Sequence, residues 1–240
     1  MTALTRVVRR SVRYGLLAVL ISACGHTPTQ SPPPALATAP ARSASHGIPL
    51  AVDPERTALL VMDMQQAITD MAGASAEEPL TRTAEAERSS RRAGVRVIFV
   101  ATAFTPGHLD ISPNDKAFAR FREGNEMLLG SPETRLDPQI APLDDEPVIV
   151  KHEVGAFSAP PLQQELRARG IDTLVLTGIA TSGVVVATAE AAADLDYRVI
   201  VLSDCVADPD PEVNRVLLDK VLPIEADVVD STQYEKALNA

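Results

Sequence analysis

Residues 173–208 read TLVLTGIATSGVVVATAEAAADLDYRVIVLSDCVAD. The run Thr173 to Leu176 is short and uniformly apolar, the signature of a strand buried on both faces, as in a parallel sheet. Gly178 to Gly183 is a turn of small residues. Val184 to Leu195 is an Ala-rich apolar stretch of helical length, and Tyr197 to Leu202 is a second buried strand ending at Ser203-Asp204. Strand, tight turn, helix and strand make a βαβ unit. In open α/β sheets ligands bind where strands end and helices begin. The turn at 178–184 is therefore the first place to look for chemistry.

Working outward, the same alternation covers the chain from Thr57. TALLVMD predicts a buried strand ending at Asp63, followed by a loop containing Gly73 and Pro79. A polar helix is expected over Leu80–Ala93, closed by Arg91-Arg92 and Gly94, a cationic last turn and a C-terminal glycine. Val95–Ala101 is the next strand and Lys116–Leu129 the next helix, with Val148–Val150 a short strand ending at Lys151. Leu162–Arg169 predicts a helix, as does Pro211–Val221, whose proline follows Asp208 and Asp210. Ala226–Val229 is a last strand and Thr232–Leu238 a last helix. About six short apolar strands alternating with helices predict a three-layer α/β/α sandwich on a mostly parallel, Rossmann-like sheet.

The first forty-nine residues follow other rules. Arg6, Arg9, Arg10 and Arg13 precede the nine-residue apolar run Gly15–Ala23, a charged segment and hydrophobic segment of secretory type and too short to span a bilayer as a helix. Ile21-Ser22-Ala23-Cys24 resembles the bacterial lipobox, whose cysteine becomes the lipidated first residue. Residues 25–49 hold six prolines and one charged residue, Arg42, so they cannot build a core and read as an extended tether. The expected organisation is a lipoprotein-type signal at 1–24, a tether at 25–49 and one domain at 50–240. It implies an extracytoplasmic protein held at the cell membrane by a lipid on Cys24.

The net charge is −10, from 22 basic and 32 acidic residues, which argues against nucleic acid as a partner. Two cysteines, Cys24 and Cys205, make no disulfide framework. Cys205, after the second strand of the opening unit, reads as a buried and inert thiol. His26, His46, His108 and His152 lie at no metal-ligand spacing, with Asp110 a weak companion to His108, so no metal and no cofactor are expected.

Three segments together resemble the isochorismatase-like cysteine hydrolases: LLVMDMQ, then Lys151 with Gly155-Ala156-Phe157-Ser158, then TGIATSGVVVATAEAA. The resemblance implies Asp63 as catalytic acid/base and Lys151 as its partner. It further implies Gln65, Phe157, Ile179, Ala180 and Val184 around a small-molecule substrate, with Ile179-Ala180 matching the family's cis peptide. The family's third motif carries its nucleophilic cysteine where this chain has Val184, a side chain with no lone pair. The backbone amides of Ala180 and Val184 would remain as donors to a substrate anion.

The activity so implied is hydrolysis of a small molecule without a thiol: a vinyl ether cleaved by acid catalysis from Asp63 or, as the weaker variant, an amide by Asp-activated water. An inactive small-molecule-binding lipoprotein is the second reading. The third is a structural partner that self-associates into a homo-oligomer through the Ala-rich stretch 184–195.

Overall fold

The computed structural model describes residues 50–240. The signal and tether expected at 1–49 lie outside the described residues. Six strands form one parallel sheet: β1 (Thr57–Met62), β2 (Arg96–Thr102), β3 (Val148–Lys151), β4 (Thr173–Ile179), β5 (Arg198–Ala207) and β6 (Asp227–Val229). Their spatial order is β3-β2-β1-β4-β5-β6. The helices are α1 (Gln66–Ala72), α2 (Glu77–Ala93), α3 (Ala119–Gly124), α4 (Pro160–Ala168), α5 (Val186–Asp194), α6 (Pro211–Val216) and α7 (Ser231–Leu238).

The central strands show why the sheet is parallel and doubly covered. Every residue of β1 and of β4 is buried, so alternate side chains feed two separate cores. Leu59, Val61, Phe99, Val175 and Ile200 pack on one face with Ile68 of α1, Leu80 and Ala84 of α2, Phe121 of α3 and Tyr234 of α7. Leu60, Met62, Ile98, Leu174 and Val201 pack on the other with Leu162 and Leu166 of α4 and with Ala189 and Ala192 of α5. Each such fully buried aliphatic side chain stabilises the fold by roughly 1.5–3 kcal/mol. The three-layer sandwich expected from the alternating pattern is the fold observed.

Strand order reverses beside β1. The chain leaves β1 toward β2 on one side, while β4 on the other side leads on to β5. A crevice at the C-terminal ends of β1 and β4 is thus the topological switch point. Gly178 permits the close approach there: a Cβ on it would lie 2.6 Å from the Met62 carbonyl oxygen, and its φ of +153° disfavours other residues.

Local boundaries differ from expectation in several places. The loop expected after Met64 is instead α1 and a 3₁₀ turn, Gly73–Ala76, with Ile68 and Ala72 packed in the core. The helix expected over 116–129 shrinks to α3, because Asn125 (φ 53°) and Met127 (φ 59°) turn left-handed once Phe118 and Phe121 have packed against Phe104. The helix expected at 184–195 opens with a π-helical turn, Thr181–Val185. Finally, β5 runs to Ala207 because a register shift between Leu176 and Gly178 lets pairing continue to Ile179–Ala207. Cys205 therefore lies within β5, not after it.

Candidate active site

Asp63 follows β1 directly and takes φ 54°, a left-handed conformation that costs a non-glycine residue about 1–3 kcal/mol. Its N–H donates to the Val100 carbonyl at 2.8 Å, continuing the sheet while the side chain swings over the strand ends. Lys151, the last residue of β3, reaches across β2 to meet it: Nζ lies 2.8 Å from Asp63 Oδ2. The Lys151 side chain is wholly buried and that of Asp63 is 8% exposed, so substrate or water can reach the pair only from the aspartate side.

Between the two stands Thr102, the last residue of β2, which sequence reasoning missed. Its hydroxyl donates to Asp63 Oδ1 at 3.0 Å and accepts from Lys151 Nζ at 2.6 Å. Lys151 gives its remaining proton to the Glu153 carbonyl at 3.1 Å. An ammonium has three N–H donors, and all three are engaged within the protein. Each Asp63 oxygen accepts one bond, one from a cation and one from a hydroxyl. Burial pushes the Asp63 carboxyl above its ordinary value, and the Lys151 ammonium and the Thr102 hydroxyl oppose that rise without cancelling it.

Gln65 is fully buried. Its Oε1 accepts the Thr102 N–H at 2.7 Å, and its Nε2 donates to the Thr102 carbonyl at 2.8 Å and to the Thr134 carbonyl at 2.9 Å. Both amide hydrogens are thus committed to main chain. A single Thr at a strand end and a Gln two residues after an Asp carry no sequence signal of this kind. Only the register of β2 against β3, which pairs Thr102 with Lys151, brings them together.

On the other side of the crevice, the Ile179–Ala180 peptide is cis. The turn that follows is held from the β5–α6 connection. Asp208, itself buried, accepts the Ser182 N–H at 2.8 Å, and the Thr181 hydroxyl donates to Asn214 Oδ1 at 2.6 Å. The Asp210 side chain accepts the N–H groups of Glu212 and Val213, capping α6 and setting Asn214 in its first turn. Val184 is buried in the second core cluster.

Phe157 stacks on Tyr197, with ring centroids 5.7 Å apart. The residues before it pack on the first turn of α5: the Ala156 N–H donates to the Thr188 hydroxyl at 3.0 Å, and Gly155 sits against Ala187.

The Cys205 thiol does not face the crevice. It is buried among the side chains on the α2 and α7 face, and burial raises its pKa so far that the thiolate is strongly disfavoured. His108 is buried with Nε2 2.7 Å from the Glu126 carbonyl. His152 Nδ1 lies 2.7 Å from the Ala103 carbonyl and 3.5 Å from Asp110. Among the described residues, no group of three or more His, Cys, Asp or Glu side chains is placed to hold a metal ion.

A carboxylate, a lysine and a strand-to-helix turn converging at this switch point invite comparison with known families. The Isochorismatase domain model matches residues 57–233. The chain belongs to the isochorismatase family. Ureidoacrylate amidohydrolase RutB of Methylobacterium radiotolerans is 33% identical over 212 residues, covering 79% of this chain and 82% of that protein. Among solved structures, an isochorismatase family protein from Burkholderia thailandensis superposes with TM-score 0.71 at 28% identity, covering 79% of this chain and 98% of that one. N-carbamoylsarcosine amidase from Thermoplasma acidophilum gives TM-score 0.62 at 28% identity, over 73% and 96% of the two chains. Within this isochorismatase fold, Asp63 and Lys151 pair at the C-terminal ends of β1 and β3, the turn from Ile179 to Val184 follows the neighbouring end of β4, and Gln65 holds the Thr102 main chain. Among the described residues, no helix is long and apolar enough to cross a membrane.

Proposed function

We propose that this isochorismatase-family chain hydrolyses an amide-type C–N bond in a small molecule, with water as nucleophile and Asp63 as base. The observation that carries this is the pair of hydrogen bonds on the Asp63 carboxyl, one to each oxygen, from donors that favour its ionised form. Burial at the same time raises its basicity toward the working pH of a general base. The amidohydrolase and amidase among the relatives support the same bond class.

In this mechanism Asp63 takes a proton from a bound water as its oxygen attacks the substrate carbonyl carbon. The amides of Ala180 and Val184 receive the developing oxyanion. When the C–N bond breaks, the proton on Asp63 passes to the leaving nitrogen, returning the carboxylate. Lys151, its donors engaged, orients and balances Asp63 and is not a substrate ligand. Cleavage of a vinyl ether is the weaker variant, since it needs Asp63 protonated beside an ammonium and a donating hydroxyl.

The test is a panel of ureido acids, N-carbamoyl amino acids, simple amides and isochorismate, with ammonia or product measured for the purified full chain. Turnover that Asp63→Asn abolishes is expected for at least one amide-type substrate; turnover unchanged in Asp63→Asn overturns the assignment. One observation favours a second reading, a binding protein without turnover: the apolar Val184 stands in the first turn after β4, where the family motif has its nucleophile. Silence across the panel, with amidase activity appearing in Val184→Cys, supports that reading. We further propose that a lipid on Cys24 holds the domain at the outer face of the cell membrane. Cys24→Ala should then move the protein from the membrane to the soluble fraction.

A further inference from the structure

The proton positions around Asp63 follow from counting donors and acceptors. An ammonium only donates, so the Thr102 oxygen accepts from Lys151 and its single hydrogen must point elsewhere. The acceptor in reach is Asp63 Oδ1 at 3.0 Å, while Lys151 also donates to Oδ2 at 2.8 Å. Lys151, Thr102 and Asp63 therefore close a ring of directed hydrogen bonds consistent with an ammonium and a carboxylate. Where the hydroxyl sits depends on the Thr102 main chain, at the point where the β2–β3 ladder ends. Gln65 clamps that main chain on both its N–H and its C=O.

We propose that Thr102 and Gln65 are positioning residues: Gln65 fixes Thr102, and the Thr102 hydroxyl holds Asp63 as the carboxylate and Lys151 as the ammonium. The proton drawn from water must then land on an Asp63 lone pair outside the ring, facing the crevice. Gln65 acts behind the site and makes no contact with substrate. The consequence for turnover rests on the hydrolase reading above; the consequence for the Asp63 proton does not.

Titration of the Asp63 carboxyl in the substrate-free full chain, by NMR of ¹³C-labelled aspartate with Asp63→Asn to assign the signal, separates the two. Thr102→Val keeps the shape and removes the hydroxyl, and should move the Asp63 titration upward by about one pH unit. Thr102→Ser restores the hydroxyl and should titrate close to the parent protein. Gln65→Met leaves the hydroxyl but frees its main chain, and should give a smaller shift of the same sign. If Thr102→Val does not fold, Thr102→Ser and Gln65→Met still decide. A parent-like titration in Gln65→Met, or a shift in Thr102→Ser as large as any other, overturns the proposal. Where an amide substrate is found, the acid limb of kcat/KM should move with the titration. A shifted titration with no turnover on any substrate sinks the hydrolase reading and leaves the positioning roles standing.

Discussion

Two buried carboxylate clusters flank the N-terminal half of the sheet, and they are built on opposite terms. At the strand ends, Asp63 has one cation to itself and a donor on each oxygen. On α2, Glu87 is 1% exposed and shares Arg91 with Glu146, which takes the guanidinium through two bonds at 2.8 and 2.7 Å. Glu87 keeps a 3.3 Å contact to Arg91 through Oε2, and its Oε1 has no partner. Burial, reinforced by the nearby Glu146 carboxylate and only partly offset by Arg91 and the more distant Arg88, pushes Glu87 up to about 7. One cluster gives its carboxylate a cation and a hydroxyl donor; the other ties Ala141 and Glu146 to α2 and tolerates a charge poorly. A buried ion pair is defined less by its distance than by how many donors each oxygen receives.

Removing the charge in Asp63→Asn should lower any hydrolysis by about 10²–10⁴-fold and also lower thermal stability, because the buried Lys151 ammonium loses its counter-charge, as checked by initial rates and calorimetry. Next comes Lys151→Met, which should turn the first cluster into one of the second kind. Denaturant unfolding at pH 8 should show a loss of about 3–5 kcal/mol, because a buried charge is left without its partner. At pH 5 the loss should shrink as Asp63 takes up a proton.

The smallest expected effect lies in the other cluster. A folded-state pKa raised above the unfolded value stabilises below the unfolded value and loses that contribution as pH rises through the folded one. For Glu87 the window runs from 4.5 to about 7. Relative to the parent, Glu87→Gln should therefore gain stability across that window, up to about 3 kcal/mol, and level off above it. A flat difference between pH 4 and pH 8 in urea titrations would show that Glu87 titrates alike in the folded and unfolded protein and that the two clusters do not differ as described.

The same contrast shows what could be read without coordinates. Asp63, Lys151 and the 178–184 turn stood out because each ends or follows a short apolar run, and strand ends of a parallel sheet gather at one edge. Thr102 also ends such a run, but a lone threonine at a strand end is ordinary. Gln65 was legible as part of a motif, though as a substrate ligand and not as a clamp on main chain. Phe157 was legible through its motif with Lys151, whereas its stacking on Tyr197 and the bond from the Ala156 N–H to Thr188 of α5 were not. Glu87 gave no signal at all, since one more acid on a polar helix reads as solvated.

Sequence by itself determined the layer architecture, since runs of buried apolar residues alternating with helical stretches have few other ways to cover both faces. It also determined which strand ends carry chemistry-bearing side chains. Tertiary structure alone decided the proton inventory: that Lys151 has no donor left for a substrate, that Thr102 completes the ring with Asp63, and that the Cys205 thiol faces away from the crevice. The reason is physical. Burial patterns are periodic along the chain and so can be read from it, whereas hydrogen-bond saturation depends on ångström-scale register between strands distant in sequence.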